Sequence, residues 1–400
     1  MMPKKIFILA GEASGDKLGA GLMAELQLMF KAPPQFFGVG GDYMHQLGLI
    51  ELFPSEDIAV MGLAEVLPKL NFLRQRINKC VDWICDEKPD LVLTIDSPDF
   101  SFRVQKAVHR RMRSSHHKPV QIHYIAPSVW AWRPGRAKKI AKFLDHLLCV
   151  LPFEPSYFKP HGLPATFVGH PITQTSGNLL NQRLKQSRDK QNVDIFQLYQ
   201  LPKDVKIFAL LPGSRSIELQ FLLPIFLETV EIVRKSQPDL HVMIPTFEHL
   251  RDKVEEYFGD LPNCTIVTDA IERQEVIQHA SVALAASGTV SLELAAAETP
   301  MVIAYKMTTL TYNILKMLIK VKYASIINIA ADEKIIPEYI QSNCHPEPMA
   351  AKLLEYLNDV DLSALVVGRY AKEIAKLKPP THERSSAACA ADVVYKYLGE

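Results

Sequence analysis

The chain is predicted to fold as two doubly wound α/β sheets joined by a polar linker. Three observations carry this. Short, continuous apolar runs such as KIFILA, LVLTI, IFALL and MVIAY have the pattern of parallel strands buried on both faces. Helix-length segments separate these runs, and strand–helix alternation specifies a parallel sheet covered by helices. The alternation then lapses over Gln174–Asp194, which is polar and has no apolar stripe, and restarts at Lys206. A chain of 400 residues carries two or three domains at ~150 residues each. The expected division is 1–173, a linker at 174–200, a second domain at 201–365 and a helical tail at 366–400.

In the first half the predicted strands are Lys5–Ala10, Phe36–Val39, Leu91–Ile95, Gln121–Ile125 and Leu147–Leu151. In the second half they are Lys206–Leu211, His241–Ile244, Val282–Ala286 and Met301–Tyr305. Lys17–Lys31, Leu73–Glu87 and Leu222–Lys235 are predicted helices. Ala387–Leu398 spaces Ala, Val and Tyr at helical intervals and is expected to be a terminal helix.

Composition excludes several classes. Apolar residues make up 48% and charged residues 22%, ordinary globular values that argue against disorder, collagen and coiled coil. A net charge of +1 gives no global field for a nucleic acid. Six cysteines at 80, 85, 149, 264, 344 and 389 form no CxxC, so a zinc ribbon or redox pair is not suggested. Reduced thiols in a cytoplasmic protein are expected. MMPKKIFILA runs straight into GEASGD, too short an apolar stretch for a signal peptide. No apolar run reaches the ~18 residues that span a bilayer. The expectation is a protein in solution or on a membrane surface.

Each half has a strand, a glycine-containing turn and a helix. KIFILA leads into Gly11-Glu-Ala-Ser14-Gly15-Asp16, and KIFALL into Pro212-Gly213-Ser214-Arg215. Helix N-termini attract anions, and glycine lets a ligand approach the backbone. Neither turn is GxGxxG or GxxxxGK[ST], so a dinucleotide or ATP site is not supported. A plain strand-to-helix turn accounts for either one alone. A third turn, Ser287-Gly288-Thr289, follows VALAA and opens VSLELAAA. Thr289 and Glu293 share a helix face, and a carboxylate there could accept two sugar hydroxyls. A solvated helix position is the plain alternative for Glu293, although its neighbours Leu292, Leu294 and Ala295–Ala297 are apolar. Arg215 offers a planar fork suited to a diphosphate. Together these loops would hold a nucleoside diphosphate.

LVLTI ends at Ile95 and is followed by Asp96-Ser97-Pro98-Asp99. Ligands of such sheets bind beyond the carboxyl ends of the strands, where Asp96 could serve as a general base. Asp99 precedes a helical pattern and suits an N-cap. No DxD pair or histidine cluster has metal-ligand spacing. Eleven Lys or Arg and one acid, Asp145, lie between Phe102 and His146, beside Trp130 and Trp132. This tract suits phosphate or an anionic membrane surface, or a solvated helix. The tryptophans suit packing, a ligand wall or interfacial anchoring. Residues 58–73 and 310–323 are apolar with few charges; each could contact a membrane surface or face a core.

AGEASGD at 10–16, GVGGDYM at 38–44, AVMGLAEVLPKL at 59–70, IDSPDF at 95–100, PSVWAWR at 127–133, LPFEPSYF at 151–158, FVGHP at 167–171, LLPGSR at 210–215 and ASGTVSLELA at 286–295 resemble, in order and across nearly the whole chain, the lipid-A-disaccharide synthase family. The resemblance implies a GT-B glycosyltransferase with two Rossmann-like domains facing a central cleft. It implies inverting transfer of 2,3-diacylglucosamine from UDP to the 6-hydroxyl of 2,3-diacylglucosamine 1-phosphate. The product would be lipid A disaccharide 1-phosphate, and neither metal nor cofactor would be needed. Asp96 would be the base. Gly213, Ser214, Arg215, Ser287, Gly288, Thr289, Glu293 and Asn328 would bind the donor. Ser14, Gly15, Asp16 and Asp99 would lie on the acceptor side. Val60, Met61, Leu63, Val66, Leu67 and Leu70 would dock acyl chains at the cytoplasmic face of an inner membrane. The resemblance also implies a homodimer whose C-terminal segments pack back or are exchanged. Another UDP-sugar enzyme, such as a UDP-N-acetylglucosamine 2-epimerase, or a non-catalytic UDP-binding protein of the membrane surface would share much of this pattern.

Overall fold

A computed structural model describes residues 3–58, 63–173, 193–381 and 384–399. The chain divides into two compact units, Met1–Asp189 with Leu377–Glu400, and Lys190–Lys376.

The first unit runs β1 (Lys5–Ala10), α1 (Ala13–Met29), β2 (Gln35–Val39), α2 (Asp42–Gln46), β3 (Leu49–Glu51), α3 (Leu63–Glu87), β4 (Leu91–Ile95), α4 (Pro98–Arg111), β5 (Val120–Tyr124), α5 (Gly135–Ile140), β6 (His146–Cys149), α6 (Pro155–Phe158) and β7 (Ala165–Phe167). Its strands lie in the order β3-β2-β1-β4-β5-β6-β7, and every pairing is parallel. Phe7 and Leu9 point to one face, where Val92, Ile84, Val104 and Val108 join them. Ile6 and Ile8 point to the other and are equally buried. A strand covered on both faces has no polar phase, hence the unbroken KIFILA run.

The second unit runs α7 (Ile195–Leu198), β8 (Ile207–Leu211), α8 (Ser216–Ser236), β9 (His241–Pro245), α9 (Arg251–Phe258), β10 (Cys264–Val267), α10 (Ala270–His279), β11 (Val282–Ala286), α11 (Val290–Ala296), β12 (Met301–Tyr305), α12 (Thr309–Leu318), α13 (Ile326–Ala331), β13 (Glu338–Ile340), α14 (Pro346–Asn358) and α15 (Val360–Lys376). Its parallel sheet has the order β10-β9-β8-β11-β12-β13. Phe208 and Leu210 pack under Leu219, Leu222, Phe226 and Val230 of α8.

The tail expected as one piece at 366–400 is divided. α15 stays with the second unit, whereas α16 (Ser386–Leu398) returns to the first. It lies along α1, where an added Cβ on Gly21 would stand 3.4 Å from Ala387. Phe30 meets Tyr395 edge-on at 4.8 Å, and Ser385 Oγ donates to Glu25 at 3.2 Å. The physical reason is the small-residue stretch Ala387–Ala391, which lets two helices approach closely. All six cysteines are free thiols. Among the described residues, no helix is long and apolar enough to cross a membrane.

Three further differences concern boundaries. The helix expected from Leu73 begins at Leu63 and so absorbs part of the 58–73 tract. The helix expected from Leu222 begins at Ser216 and carries Pro224 inside it. The edge strands β3, β7 and β13 have three residues each and β10 has four, too short to produce a readable apolar period.

Candidate active site

Each sheet reverses its winding once, between β1 and β4 and between β8 and β11. At such a point the two flanking loops run apart and leave a crevice beyond the strand ends. The turns singled out in the sequence are these loops. Gly11–Asp16 follows β1 and Asp96–Ser97 follows β4; Gly213–Arg215 follows β8 and Ser287–Thr289 follows β11.

Strain gathers at the first crevice. Asp96 and Ser97 take φ of 51° and 43°, and Ile125, just past β5, takes 77°. A non-glycine residue with positive φ is uncommon, and a β-branched one is an outlier. Such conformations persist where the surroundings enforce them, commonly at functional sites. Here Asp96 N–H donates to the Tyr124 carbonyl at 3.0 Å, and Ser101 Oγ donates to the Asp96 carbonyl at 2.8 Å. The Asp96 backbone is therefore pinned from both sides. Burial pushes the Asp96 carboxyl above its ordinary value, and the hydrogen bond from the Ser97 backbone opposes this. The β1 loop touches this turn, since an added Cβ on Gly11 would stand 2.9 Å from Ser97 Oγ.

The other residues expected beside Asp96 divide. Ser14 is exposed in the first turn of α1. Gly15 lets α1 approach Ala10 and Ile95, the last residues of β1 and β4, 3.4 and 3.6 Å from where a Cβ would stand. Asp16 is buried, and its carboxylate accepts from the amides of Gly41, Tyr43 and Met44 at 2.9–3.0 Å. It caps the start of α2. Asp99 is not an N-cap: Ser97 occupies that position, and Asp99 accepts from Arg136 Nη2 at 2.9 Å.

Trp130 is held from below. Its Nε1 donates to Glu154 at 3.3 Å, and its ring meets Phe153 edge-on. Glu154 also accepts from the amides of Val150 and Leu151 at 3.1 and 3.0 Å. Trp132 lies under the Arg133 guanidinium, 4.1 Å from its ring centre. Burial raises the Glu154 carboxyl to about 7, above the ~4.3 of an unfolded chain. A raised acid adds stability below ~4.3 that is lost as pH climbs through about 7. The stability of the wild type relative to Glu154→Gln is therefore expected to fall across this window and level off above it. Denaturant midpoints from pH 4 to 8 measure this, and a constant difference would refute it.

In the second unit, Gly213 has φ of 116°. The amides of Ser214 and Arg215 donate to Glu218 Oε2 at 3.2 and 3.3 Å. The two N–H groups expected to meet a diphosphate are thus occupied by a buried carboxylate of α8, which Tyr305 also approaches. The Arg215 side chain remains 58% exposed, 3.6 Å from Glu218, and is the cation of this loop. Opposite it, Ser287 Oγ donates to the Ala324 carbonyl at 3.1 Å. Gly288 is exposed, and an added Cβ would meet nothing within 4 Å. The amides of Ser291 and Leu292 donate to the Gly288 and Thr289 carbonyls at 3.3 and 2.9 Å, so what the turn offers is open space at the exposed Gly288 and Thr289. Glu293 is exposed between buried Leu292 and Leu294. It interacts electrostatically with Arg273 of α10, whose guanidinium covers the Phe247 ring at 4.3 Å.

Asn328 was expected to face the donor, and the structure corrects this. It is fully buried. Its Nδ2 donates to the Ile336 carbonyl and Glu338, and its Oδ1 accepts from Ile335 and Ile336, all at 2.8 Å. A saturated carboxamide has nothing left for a ligand; it staples the loop behind Ser287. Glu338, Glu218 and Arg273 look like ordinary charges in sequence and were missed. Of the expected acyl patch, Val60 and Met61 lie outside the described residues, as do the side chains of Leu63, Val66 and Leu67; Leu70 is exposed. Among the described residues, no group of His, Cys, Asp and Glu has metal-holding geometry.

Comparison with known proteins agrees on family. The pattern of the lipid-A-disaccharide synthetase family matches residues 6–393. The lipid-A-disaccharide synthase of Rhodospirillum centenum is 42% identical over 90% of this chain and 86% of its own length. That of Nitrobacter winogradskyi is 36% identical over 99% and 96%. In fold, the chain resembles a UDP-GlcNAc 2-epimerase from Neisseria meningitidis solved with UDP-GlcNAc, with TM-score 0.62, 12% identity and 98% and 99% of the two chains covered. It also resembles the glycotransferase of kitacinnamycin, with TM-score 0.63, 14% identity and both chains fully covered. The fold is the GT-B arrangement of two α/β units, and the chain belongs to the lipid-A-disaccharide synthase family.

Proposed function

We propose that the chain transfers 2,3-diacylglucosamine from UDP to the 6-hydroxyl of 2,3-diacylglucosamine 1-phosphate, giving lipid A disaccharide 1-phosphate and UDP. The observation that carries the mechanism is Asp96, partly buried, in a strained turn at the first switch point. An inverting displacement needs one base and a stabilised leaving group. Asp96 takes the proton of the 6-hydroxyl as that oxygen attacks the anomeric carbon. The carbon–oxygen bond to UDP breaks, and the negative charge moves to the diphosphate. Arg215 and the Ser287–Thr289 turn meet this charge, and Glu293 binds donor hydroxyls. The epimerase reading rests on fold alone, since its examples share only 11–14% identity. The lipid substrates suggest work at the cytoplasmic face of an inner membrane, as a homodimer, with residues 58–73 receiving acyl chains.

The test is UDP release by the purified protein in detergent. Release that needs the acceptor, with a disaccharide 1-phosphate seen by mass spectrometry, supports the proposal; acceptor-independent release or no release overturns it. Arg215→Ala is expected to weaken UDP binding by roughly 10- to 100-fold, the range for one hydrogen bond to a charged group. Titration calorimetry with UDP measures this, and unchanged affinity would remove Arg215 from the diphosphate site.

A further inference from the structure

Helix α12 is apolar on two faces. Tyr312 and Leu315 are half-buried on its inner side. Leu310, Met317 and Leu318, at i, i+7 and i+8, share the opposite side. They are exposed, Met317 by 87% and Leu310 by 73%, and Ile319 just beyond the helix is exposed too. An outward apolar stripe of this kind on a folded unit marks a contact surface. Lysines frame it: Lys306, Lys316, Lys320 and Lys322 occur between residues 299 and 331, which contain no acid. Among the described ion pairs of these four, Lys322 meets Asp332 at 3.0 Å.

We infer that α12 with residues 319–320 is a bilayer-contact element of the second unit, seating its apolar stripe among acyl chains and its lysines among anionic headgroups. Charge selects this occupant. A stripe of long aliphatic side chains flanked by the lysines of an acid-free run, 299–331, matches an interfacial helix on anionic lipid, whereas a second copy of the chain would bring the same positive charge to the contact. The position also serves the donor turn. The chain leaving α12 reaches Ala324, whose carbonyl accepts from Ser287 Oγ. A bilayer contact here would hold the Ser287–Thr289 turn close to the headgroup layer. The inference extends the proposed function by giving the donor unit its own membrane contact. Its test reads vesicle binding and not turnover, so either can fail alone.

The experiment is co-sedimentation of the full chain with vesicles of phosphatidylethanolamine and phosphatidylglycerol, and with vesicles of phosphatidylcholine only. The wild type is expected to prefer the anionic vesicles, and Lys316→Glu with Lys320→Glu to lower that partitioning at least about tenfold. Leu310→Ser, Met317→Ser and Leu318→Ser together are expected to lower it by a similar factor, with UDP affinity unchanged in both variants. Should the serine variant fail to fold, the two exposed lysines carry the test. Wild-type partitioning in folded variants overturns the inference. So does a change of oligomeric state in sedimentation velocity with vesicle binding intact, which would assign the stripe to a second copy.

Discussion

Asp96→Asn is expected to lower turnover by roughly 10²- to 10⁴-fold, the range for loss of a positioned general base, while UDP affinity stays within error of the wild type. The substitution is informative because Asn is one of the few residues that tolerates left-handed backbone. The strained turn at φ 51° therefore survives, and with it the hydrogen bonds to Tyr124 and from Ser101. Only the ability to take a proton is removed. The wild type adds a second signature. A base works when ionised, and burial raises the Asp96 pKa, so kcat/KM should fall on the acid side at a higher pH than the ~3.9 of an ordinary aspartate. Initial rates of UDP release across pH, with a UDP titration of the variant, check both statements. Wild-type turnover in the Asp96→Asn enzyme would remove Asp96 from the mechanism, and loss of UDP binding in that variant would make its role structural.

The readable parts of this site are those the sequence encodes locally. β1, β4, β11 and β12 have the bounds their apolar runs predict, because a strand buried on both faces reads as one near-continuous apolar run. The loops after the strands follow at once, so the sequence alone places Asp96 after β4, Arg215 after β8 and Ser287 after β11. What sequence hides is who partners whom. Asp16 sits in a glycine-rich turn that resembles a ligand loop, yet its partners are the amides of Gly41, Tyr43 and Met44. Asn328 looked like a polar donor contact until both ends of its carboxamide proved committed to residues 335–338. Glu218 reads as a helix charge, although it occupies two amides expected for phosphate. The strain at Asp96, Ser97 and Ile125 leaves no mark in residue type, since none is glycine. Partners and backbone conformation are tertiary facts, and the misassigned residues fail for that reason.

Gly38→Ala is expected to destabilise the first unit by roughly 2–5 kcal/mol, enough to cost much of the soluble protein, since whole domains are stable by only ~5–15 kcal/mol. Gly38 lies in β2 opposite Ile8 of β1, with φ of 142°. Two terms add. Left-handed backbone costs an alanine ~1–2 kcal/mol. The added methyl would also overlap the Ile8 carbonyl oxygen and crowd the Ile8 carbonyl carbon and nitrogen, and overpacking of this kind costs typically ~1–3 kcal/mol. The clash cannot relax by a side-chain rotation, because every atom it meets is backbone. Ile8 cannot retreat either, since its other edge pairs with Leu93 of β4, the strand that ends just before Asp96. Gly48→Ala isolates the first term. Its φ is 89°, but nothing lies within 4 Å of the new methyl. Urea unfolding of both variants should therefore show a modest loss for Gly48→Ala and a distinctly larger one for Gly38→Ala. Equal losses would mean that β2 can shift away from β1, and that the close approach at Gly38 is not what requires a glycine there.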